Sequence, residues 1–299
     1  MRLSAGSTGS TGWPGWPPHR SGLSRSPVPG VWCRTSRTAG GRGSLSGPSH
    51  RCRNHGQLPI SGPFSRGLTD IFPENFIMAI DLAVVPVAGQ GTRLLPSTKS
   101  QPKEMLPVGR KPVVQYVVEE LANSGIGRLM FITGPGKASI ENHFDTNWEL
   151  ITFLRETGRE ELLEELDFER QSLEYFYTRQ RRQLGLGHAV LCARSLVGDQ
   201  PFVVALGDSI IGVNAQSNIV ARMVERFEAD GADVVVAFEE VPREEVVRYG
   251  IARPADGEPG DVFELADLVE KPSVDEAPSQ LAVAARYVLS PRIFATCTS

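Results

Sequence analysis

From residue 79 onward, short apolar runs alternate along the chain with segments of helical periodicity. Continuous apolar runs are typical of strands buried on both faces of a sheet, whereas apolar residues spaced by three and four indicate amphipathic helices. The predicted strands are 82–87, 128–133, 173–178, 201–206, 232–238, 262–266 and 281–289. The predicted helices are 111–125, 138–144, 149–168 with a kink at Gly158, one beginning at His188, and 217–229. This alternation predicts an α/β fold with a mixed, mainly parallel sheet and helices on both faces.

The charged residues of these helices are expected to face solvent. Glu119 and Glu120 lie on the predicted helix 111–125, and an acidic cluster occupies residues 160–165. The cluster has no partner motif, so a solvated surface is favoured over a metal site.

The first predicted strand leads into a glycine-rich loop. Residues 82–107 read LAVVPVAGQGTRLLPSTKSQPKEMLP. Gly89 and Gly91 let the backbone approach a ligand closely, and backbone N–H groups clustered there can bind a phosphate. Arg93 can bind phosphate oxygens through its planar guanidinium, and Lys103 adds a second cation between two prolines that stiffen the segment. The pattern predicts a polyphosphate site.

Two better-known phosphate-binding loops are excluded by the same residues. The P-loop pattern fails because no Lys-Ser or Lys-Thr pair follows a second glycine. The dinucleotide-binding pattern G-x-G-x-x-G fails because Leu94 stands where the third glycine belongs.

A second polar segment follows the predicted strand 173–178. Residues 179–190 read RQRRQLGLGHAV. The amide of Gln180 can donate and accept hydrogen bonds at the edge of a base, which is how a site distinguishes uracil from other bases. Gly185 and Gly187 would let a base lie against bare backbone. By itself, the segment is equally compatible with a loop and a helix cap.

A third polar position, Asp208, follows the predicted strand 201–206. Open α/β folds bind ligands at the carboxyl edge of the sheet, and Mg²⁺ is commonly held there by one or two carboxylates together with substrate phosphates. Taken alone, an aspartate at this place is more often a turn former or a helix cap.

Together, these segments resemble the signatures of the nucleoside-diphosphate-sugar pyrophosphorylases, and closely those of bacterial UTP–glucose-1-phosphate uridylyltransferases. The resemblance covers about residues 79–295 and implies a Rossmann-like nucleotidyltransferase fold. It implies transfer of UMP from UTP to glucose-1-phosphate, giving UDP-glucose and pyrophosphate, with Mg²⁺ as cofactor. It also implies a homo-oligomer, with neither nucleic acid nor membrane as a partner.

The resemblance assigns roles residue by residue. The residues implied are Arg93 and Lys103 for catalysis, Asp208 for the metal, Ala88, Gly89, Gly91, Thr92, Gln180 and Gly185 for the nucleotide, and Gly250, Glu270 and Lys271 for the sugar phosphate.

Two features complicate this assignment. Without the resemblance, Glu270 and Lys271 in the sequence V-E-K-P would be a surface ion pair of little energetic value. In the segment 281–289, which resembles A-x-x-G-R-Y-V-L, Ala285 stands in place of the glycine.

The composition changes sharply near residue 78. Residues 1–69 contain no Asp, Glu or Lys and are rich in Arg, Ser, Gly and Pro, without helical or alternating periodicity. Such a segment cannot bury a core, so residues 1–77 are expected to form a disordered extension, with Met78 favoured as the natural start over a transit peptide or a nucleic-acid-binding arm. Residues 78–299 are expected to form the nucleotidyltransferase domain.

Cysteine spacing and hydropathy exclude several classes of protein. The four cysteines form no C-x-x-C pair, so neither a zinc site nor a disulfide framework is indicated. No apolar run reaches transmembrane length, and none has the flanks of a signal peptide. A cytoplasmic protein is expected.

The resemblance also implies further sheet and helices beyond Ser299, so the domain is expected to be incomplete at its carboxyl end. The alternative function is therefore an inactive homologue that binds UTP or a partner subunit. A pyrophosphorylase for another sugar-1-phosphate or another nucleotide is a further alternative.

Overall fold

The computed structural model describes residues 31–34, 80–170, 172–212, 216–255 and 260–296, with only the backbone at 31–34, 167, 169 and 170. The strands are β1 (Val31–Arg34), β2 (Leu82–Pro86), β3 (Pro107–Val108), β4 (Lys111–Pro112), β5 (Arg128–Thr133), β6 (Glu174–Arg179), β7 (Phe202–Ala205), β8 (Val234–Glu240), β9 (Gly250–Pro254), β10 (Val262–Glu270) and β11 (Leu281–Leu289). The helices are α1 (Val113–Asn123), α2 (Ala138–Phe144), α3 (Trp148–Glu156), α4 (Leu186–Leu191), α5 (Arg194–Val197), α6 (Ile219–Asp230) and α7 (Ile293–Thr296).

The described strands form a nine-stranded sheet in the order β6-β5-β2-β7-β11-β8-β1-β10-β9, and β3 pairs with β4 separately. The strands β6, β5, β2 and β7 are parallel to one another. Beyond β7, the strand β11 runs antiparallel to both β7 and β8. The predicted α/β fold with a mixed sheet is therefore confirmed, and its parallel part holds the first predicted strands.

The two faces of the sheet are covered by different helices. Along β2, Ala83 and Val85 pack on one side with α1, α2 and α6, whereas Leu82 and Val84 pack on the other side with α4, α5 and α7. All four side chains are fully buried. A strand buried on both faces reads as a continuous apolar run, which is why the sequence predicted it.

The predicted helix 149–168 is not a single kinked helix. The helix α3 ends at Glu156, and Gly158 follows in the left-handed conformation with φ 69°. A 3₁₀ helix then spans Glu160–Arg170. Glycine adopts this conformation without the steric cost that a Cβ would impose, so the chain turns there instead of bending.

The expectation that Glu120 faces solvent is wrong. Its side chain is 3% exposed and accepts a hydrogen bond of 2.6 Å from Arg286 of β11, whose side chain is fully buried. Its neighbour Glu119 is partly exposed and pairs with Lys111 at 2.8 Å. Two adjacent glutamates of one helix therefore have different environments, because only Glu120 lies against the sheet.

The expected disorder of residues 1–77 falls mostly outside the described residues. The exception is β1, which pairs antiparallel with β8 and parallel with β10. At these four residues the backbone forms strand pairing that the composition of the extension did not predict. The division between residues 77 and 78 stays a prediction.

Within the described residues, no helix has both the length and the apolar content needed to cross a bilayer.

The two glutamates of α1 provide a test of the buried pair. Removing one partner of a buried ion pair leaves an uncompensated charge, so Glu120→Gln should lower the free energy of unfolding by about 3–5 kcal/mol. The matched change Glu119→Gln should cost about 0–1 kcal/mol, because its ion pair is partly solvated. Urea unfolding of the two variants beside the unmodified protein measures both values. Equal losses would contradict the assignment.

Candidate active site

The loops that follow β2, β6 and β7 meet at the carboxyl edge of the parallel part of the sheet. This is where open α/β folds place ligands, because parallel strands all end on the same side. Polar residues from three distant parts of the sequence are thereby brought together around one cavity of about 300 Å³. The residues lining it are Pro86, Ala88, Gly89, Lys103, Glu104, Gln180, Gln183, Gly185, Leu186, Ala189, Leu206 and Asp208. We call this the first cavity.

An ion pair lies on the wall of the first cavity. The ammonium of Lys103 donates to the carboxylate of Asp208, and the two side chains are 24% and 36% exposed. Gly89 makes room for the lysine, since a Cβ at Gly89 would lie 3.3 Å from Cε of Lys103. A cation and a carboxylate are thus held side by side, both accessible to a ligand.

A second ion pair, which is buried, holds the segment that carries Lys103. Glu104, next to Lys103, is 1% exposed and accepts a hydrogen bond of 2.7 Å from Nζ of Lys137. Burial raises the pKa of the Glu104 carboxyl, and the neighbouring ammonium of Lys137 partly opposes that shift. This pair could not be predicted from the sequence, because Lys137 lies 33 positions from Glu104 and outside the glycine-rich segment.

Gln180 lies at the end of β6 with its side chain held by two contacts. Its Nε2 is 3.1 Å from the carbonyl oxygen of Gly185 and 2.9 Å from Nδ1 of His188. The residue is only 4% exposed but lines the first cavity. The adjoining Gln183, which we did not predict as a site residue, donates to the carbonyl oxygen of Ala88 at 2.6 Å and so connects this loop to the glycine-rich loop.

A second cavity of about 720 Å³ adjoins the first and shares Leu206 and Asp208 with it. We call it the second cavity. Arg93 lines this second cavity and not the first, so the two predicted catalytic cations line different cavities. The remaining lining residues are Ser209, Ile210, Ile211, Gly212, Glu239, Arg248, Tyr249, Val283, Ala284 and Ala285.

Five predicted site residues lie outside both sets of lining residues. Gly91 has a left-handed backbone with φ 68° and begins the 3₁₀ turn of Thr92. Gly250 pairs with Glu270 between β9 and β10, and Glu270 forms an exposed ion pair of 3.0 Å with Lys271. Tyr249, the neighbour of Gly250, does line the second cavity.

Ala285, the position where the resembling pattern has glycine, adopts a left-handed backbone with φ 60°. That conformation is unfavourable for a residue with a Cβ, which explains a glycine at this position in a sequence pattern. The carbonyl oxygen of Ala285 accepts hydrogen bonds from the backbone of Leu206 and from Arg286, both at 3.1 Å. These contacts hold Ala285 in the wall of the second cavity.

Asp208 is the residue whose chemistry fits a metal ion. Among the described residues, no group of three or more His, Cys, Asp and Glu side chains is arranged to hold a metal by itself. A single accessible carboxylate between two cavities nevertheless fits Mg²⁺, which takes one or two carboxylates and completes its shell with substrate phosphates and water.

Comparison with known proteins identifies a family. Residues 82–299 match the model of the nucleotidyl transferase family. A UTP–glucose-1-phosphate uridylyltransferase of Bacillus subtilis is 49% identical over 212 residues, which cover 71% of this chain and 70% of that protein.

Solved structures agree with the sequence matches. A UDP-glucose pyrophosphorylase in complex with UDP-glucose is 38% identical with a TM-score of 0.64, over 74% of this chain and 80% of that one. A UTP-bound enzyme of the same kind from Acinetobacter baumannii is 41% identical with a TM-score of 0.65, over 72% and 76% of the two chains. The chain therefore belongs to the nucleotidyl transferase family, within its group of UTP–glucose-1-phosphate uridylyltransferases.

Proposed function

We propose that this protein transfers UMP from UTP to glucose-1-phosphate, forming UDP-glucose and releasing pyrophosphate. The observation that carries the proposal is the ion pair of Lys103, in the wall of the first cavity, with Asp208, which lines both adjoining cavities. A reaction between two anions needs two neighbouring sites and a cation at their junction, and this arrangement supplies both. The relatives named above carry this activity in their names.

The first cavity is the proposed nucleotide site. Gln180 lines this cavity and offers its amide to the base. The backbone of Ala88 and Gly89 also lines it, with Gly89 next to Lys103. A UTP molecule placed with its base at Gln180 would bring its phosphates toward Lys103, which can neutralise their charge. Gly91 and Thr92, further along the loop, would follow the phosphate chain.

The second cavity is the proposed sugar-phosphate site. It shares Asp208 with the first cavity, and Arg93 and Arg248 in its lining supply cations for a phosphate. Gly250, Glu270 and Lys271 lie beyond the lining residues, and we propose that they contact the sugar when it is bound. This is supported by Tyr249, which lines the second cavity and directly precedes Gly250, the first residue of β9.

The proposed mechanism requires positioning and charge neutralisation. An oxygen of glucose-1-phosphate attacks the α-phosphorus of UTP, the bond to the β-phosphate breaks, and pyrophosphate leaves with the electron pair. Lys103 and Arg93 stabilise the negative charge that develops, and no general base is needed for an already ionised phosphate oxygen. Bound at Asp208, Mg²⁺ would supply further electrostatic stabilisation of phosphate oxygens.

Two further proposals concern the setting of the protein. We propose a cytoplasmic location, where both substrates are metabolites, and assembly as a homo-oligomer. The alternative is a protein that binds UTP without catalysis, and measuring pyrophosphate release beside UTP binding distinguishes the two.

Lys103→Ala should lower kcat for pyrophosphate release by at least about 10², since one preorganised cation at a developing charge has an effect of this size. Its ion pair is partly solvated, so the melting temperature should change little. Lys99→Ala, at an exposed lysine outside both cavities, is the matched control and should keep full activity. Near-normal turnover in Lys103→Ala would refute the role.

Asp208→Asn should lower kcat by about 10² and raise the Mg²⁺ concentration needed for half-maximal turnover, because a neutral amide is a poorer ligand than a carboxylate. Titration of Mg²⁺ in the pyrophosphate-release assay measures both effects, and equilibrium binding of Mg²⁺ gives a second readout. Asp199→Asn, at an exposed aspartate after α5, is the control. An unchanged Mg²⁺ requirement would show that Asp208 is not the ligand.

The same assay separates the enzyme from the alternative of a binding protein. UTP binding without pyrophosphate release in the unmodified protein would favour the binding protein.

A further inference from the structure

The contact with Gly185 identifies which atom of the Gln180 amide is the nitrogen. A backbone carbonyl oxygen can only accept a hydrogen bond, so the amide atom 3.1 Å from the carbonyl oxygen of Gly185 must be the nitrogen. The backbone N–H of Gln180 donates to the carbonyl oxygen of Thr133 at 2.9 Å, which fixes the start of the side chain at the end of β6. Only rotation of the side chain could then change what the amide presents to the first cavity.

His188 takes the second hydrogen of the same amide nitrogen. Its Nδ1 lies 2.9 Å from Nε2 of Gln180 and must accept, since the amide nitrogen has no lone pair to offer. The thiol of Cys192, 4.0 Å from the same Nδ1, is also placed as a weak donor to it. Nδ1 is therefore the acceptor in this contact.

These two contacts leave Oε1 as the atom of Gln180 available to a ligand. Both hydrogens of the amide nitrogen are used within the protein, and among the described residues no donor to Oε1 is found. Since Gln180 lines the first cavity, the group that it has free for a ligand there is a hydrogen-bond acceptor.

An acceptor distinguishes the two pyrimidines. Uracil carries a hydrogen on N3 and can donate it to Oε1, whereas N3 of cytosine carries a lone pair that would face the same oxygen. A site whose polar group is held in one orientation rejects the wrong partner because a buried acceptor is left unpaired. If the amide could rotate, its nitrogen would instead meet N3 of cytosine, and the discrimination would be lost.

We propose that His188 is a positioning residue that holds the Gln180 amide with its oxygen toward the base, and thereby selects UTP over CTP. The proposal rests on the proposed function, because it assumes a pyrimidine nucleotide in the first cavity. It assigns His188 no contact with the substrate.

Gly185 alone is a weaker anchor than the pair. It lies in an exposed loop with φ 92°, and the space around the position of a Cβ there is open. His188 lies on α4 beside Ala189 and Val190, which are buried against the sheet. The histidine thus connects the amide to the core of the domain, whereas the glycine connects it to a surface loop.

The test compares kcat/KM for UTP and CTP, which share the same ribose and triphosphate, in the unmodified protein and in His188 variants. His188→Phe keeps a ring and removes the acceptor, so the preference for UTP should fall about fivefold to tenfold, the effect of one hydrogen bond. His188→Asn places an amide oxygen near the position of Nδ1 and should restore most of the preference. His188→Gln places it further out and should behave like His188→Phe.

Equilibrium binding of the two nucleotides and thermal unfolding of each variant accompany the kinetics. An unchanged UTP-to-CTP ratio in folded His188→Phe overturns the proposal, as does an equal loss of activity with both nucleotides. If His188→Phe does not fold, the contrast between His188→Asn and His188→Gln decides in the same way. Unmodified protein that binds neither nucleotide overturns the proposed function as well. If the unmodified protein prefers UTP and the His188 variants keep the same preference, only the role of His188 is overturned.

Discussion

The site depends on the parallel arrangement of β6, β5, β2 and β7, since it brings their carboxyl ends to one edge of the sheet. The segments that follow β2 and β7 are about 120 residues apart in the sequence, and the ion pair of Lys103 with Asp208 spans 105 positions. A parallel sheet needs crossover connections, which here carry the helices that bury both faces. The packing that stabilises the fold and the positioning of the site are thus consequences of the same topology.

Two buried ion pairs hold the loops of this edge in place. Lys137 and Glu104 fix the turn that carries Lys103, whereas Glu120 and Arg286 connect α1 to β11. Arg286 also donates to the carbonyl oxygen of Ser209 at 2.9 Å, directly after Asp208. Each partner is expensive to bury alone, so each pair specifies its arrangement more than it adds net stability. Lys103 and Asp208 each adjoin a residue that a buried charge holds, namely Glu104 beside Lys103 and Ser209 beside Asp208.

The strands β11 and β8, which lie beyond β7 in the sheet, contribute residues to the second cavity and are antiparallel. There β11 runs antiparallel to its neighbours, with an irregular register between Val283 and Tyr287. Ala285 lies within this irregularity, where its left-handed backbone turns its carbonyl toward Leu206 and Arg286. Bulges redirect a strand next to a functional site, and this one forms part of the wall of the second cavity.

The sequence by itself determined the buried strands of the parallel part of the sheet and the residue types of the site, because both are local properties. Apolar runs predicted the buried strands. The short polar segments predicted the residues that line the cavities, namely Ala88, Gly89, Arg93, Lys103, Gln180, Gly185 and Asp208. The tertiary structure decided which charges are buried. Glu119 and Glu120 are adjacent on α1, but only Glu120 is buried against the sheet, where it pairs with Arg286, 166 positions away. It also decided that Arg93 and Lys103 line different cavities, and that the amide oxygen of Gln180 has no hydrogen-bond donor among the residues that the structure describes. These outcomes depend on contacts between distant segments, which the pattern of residues along one segment does not contain.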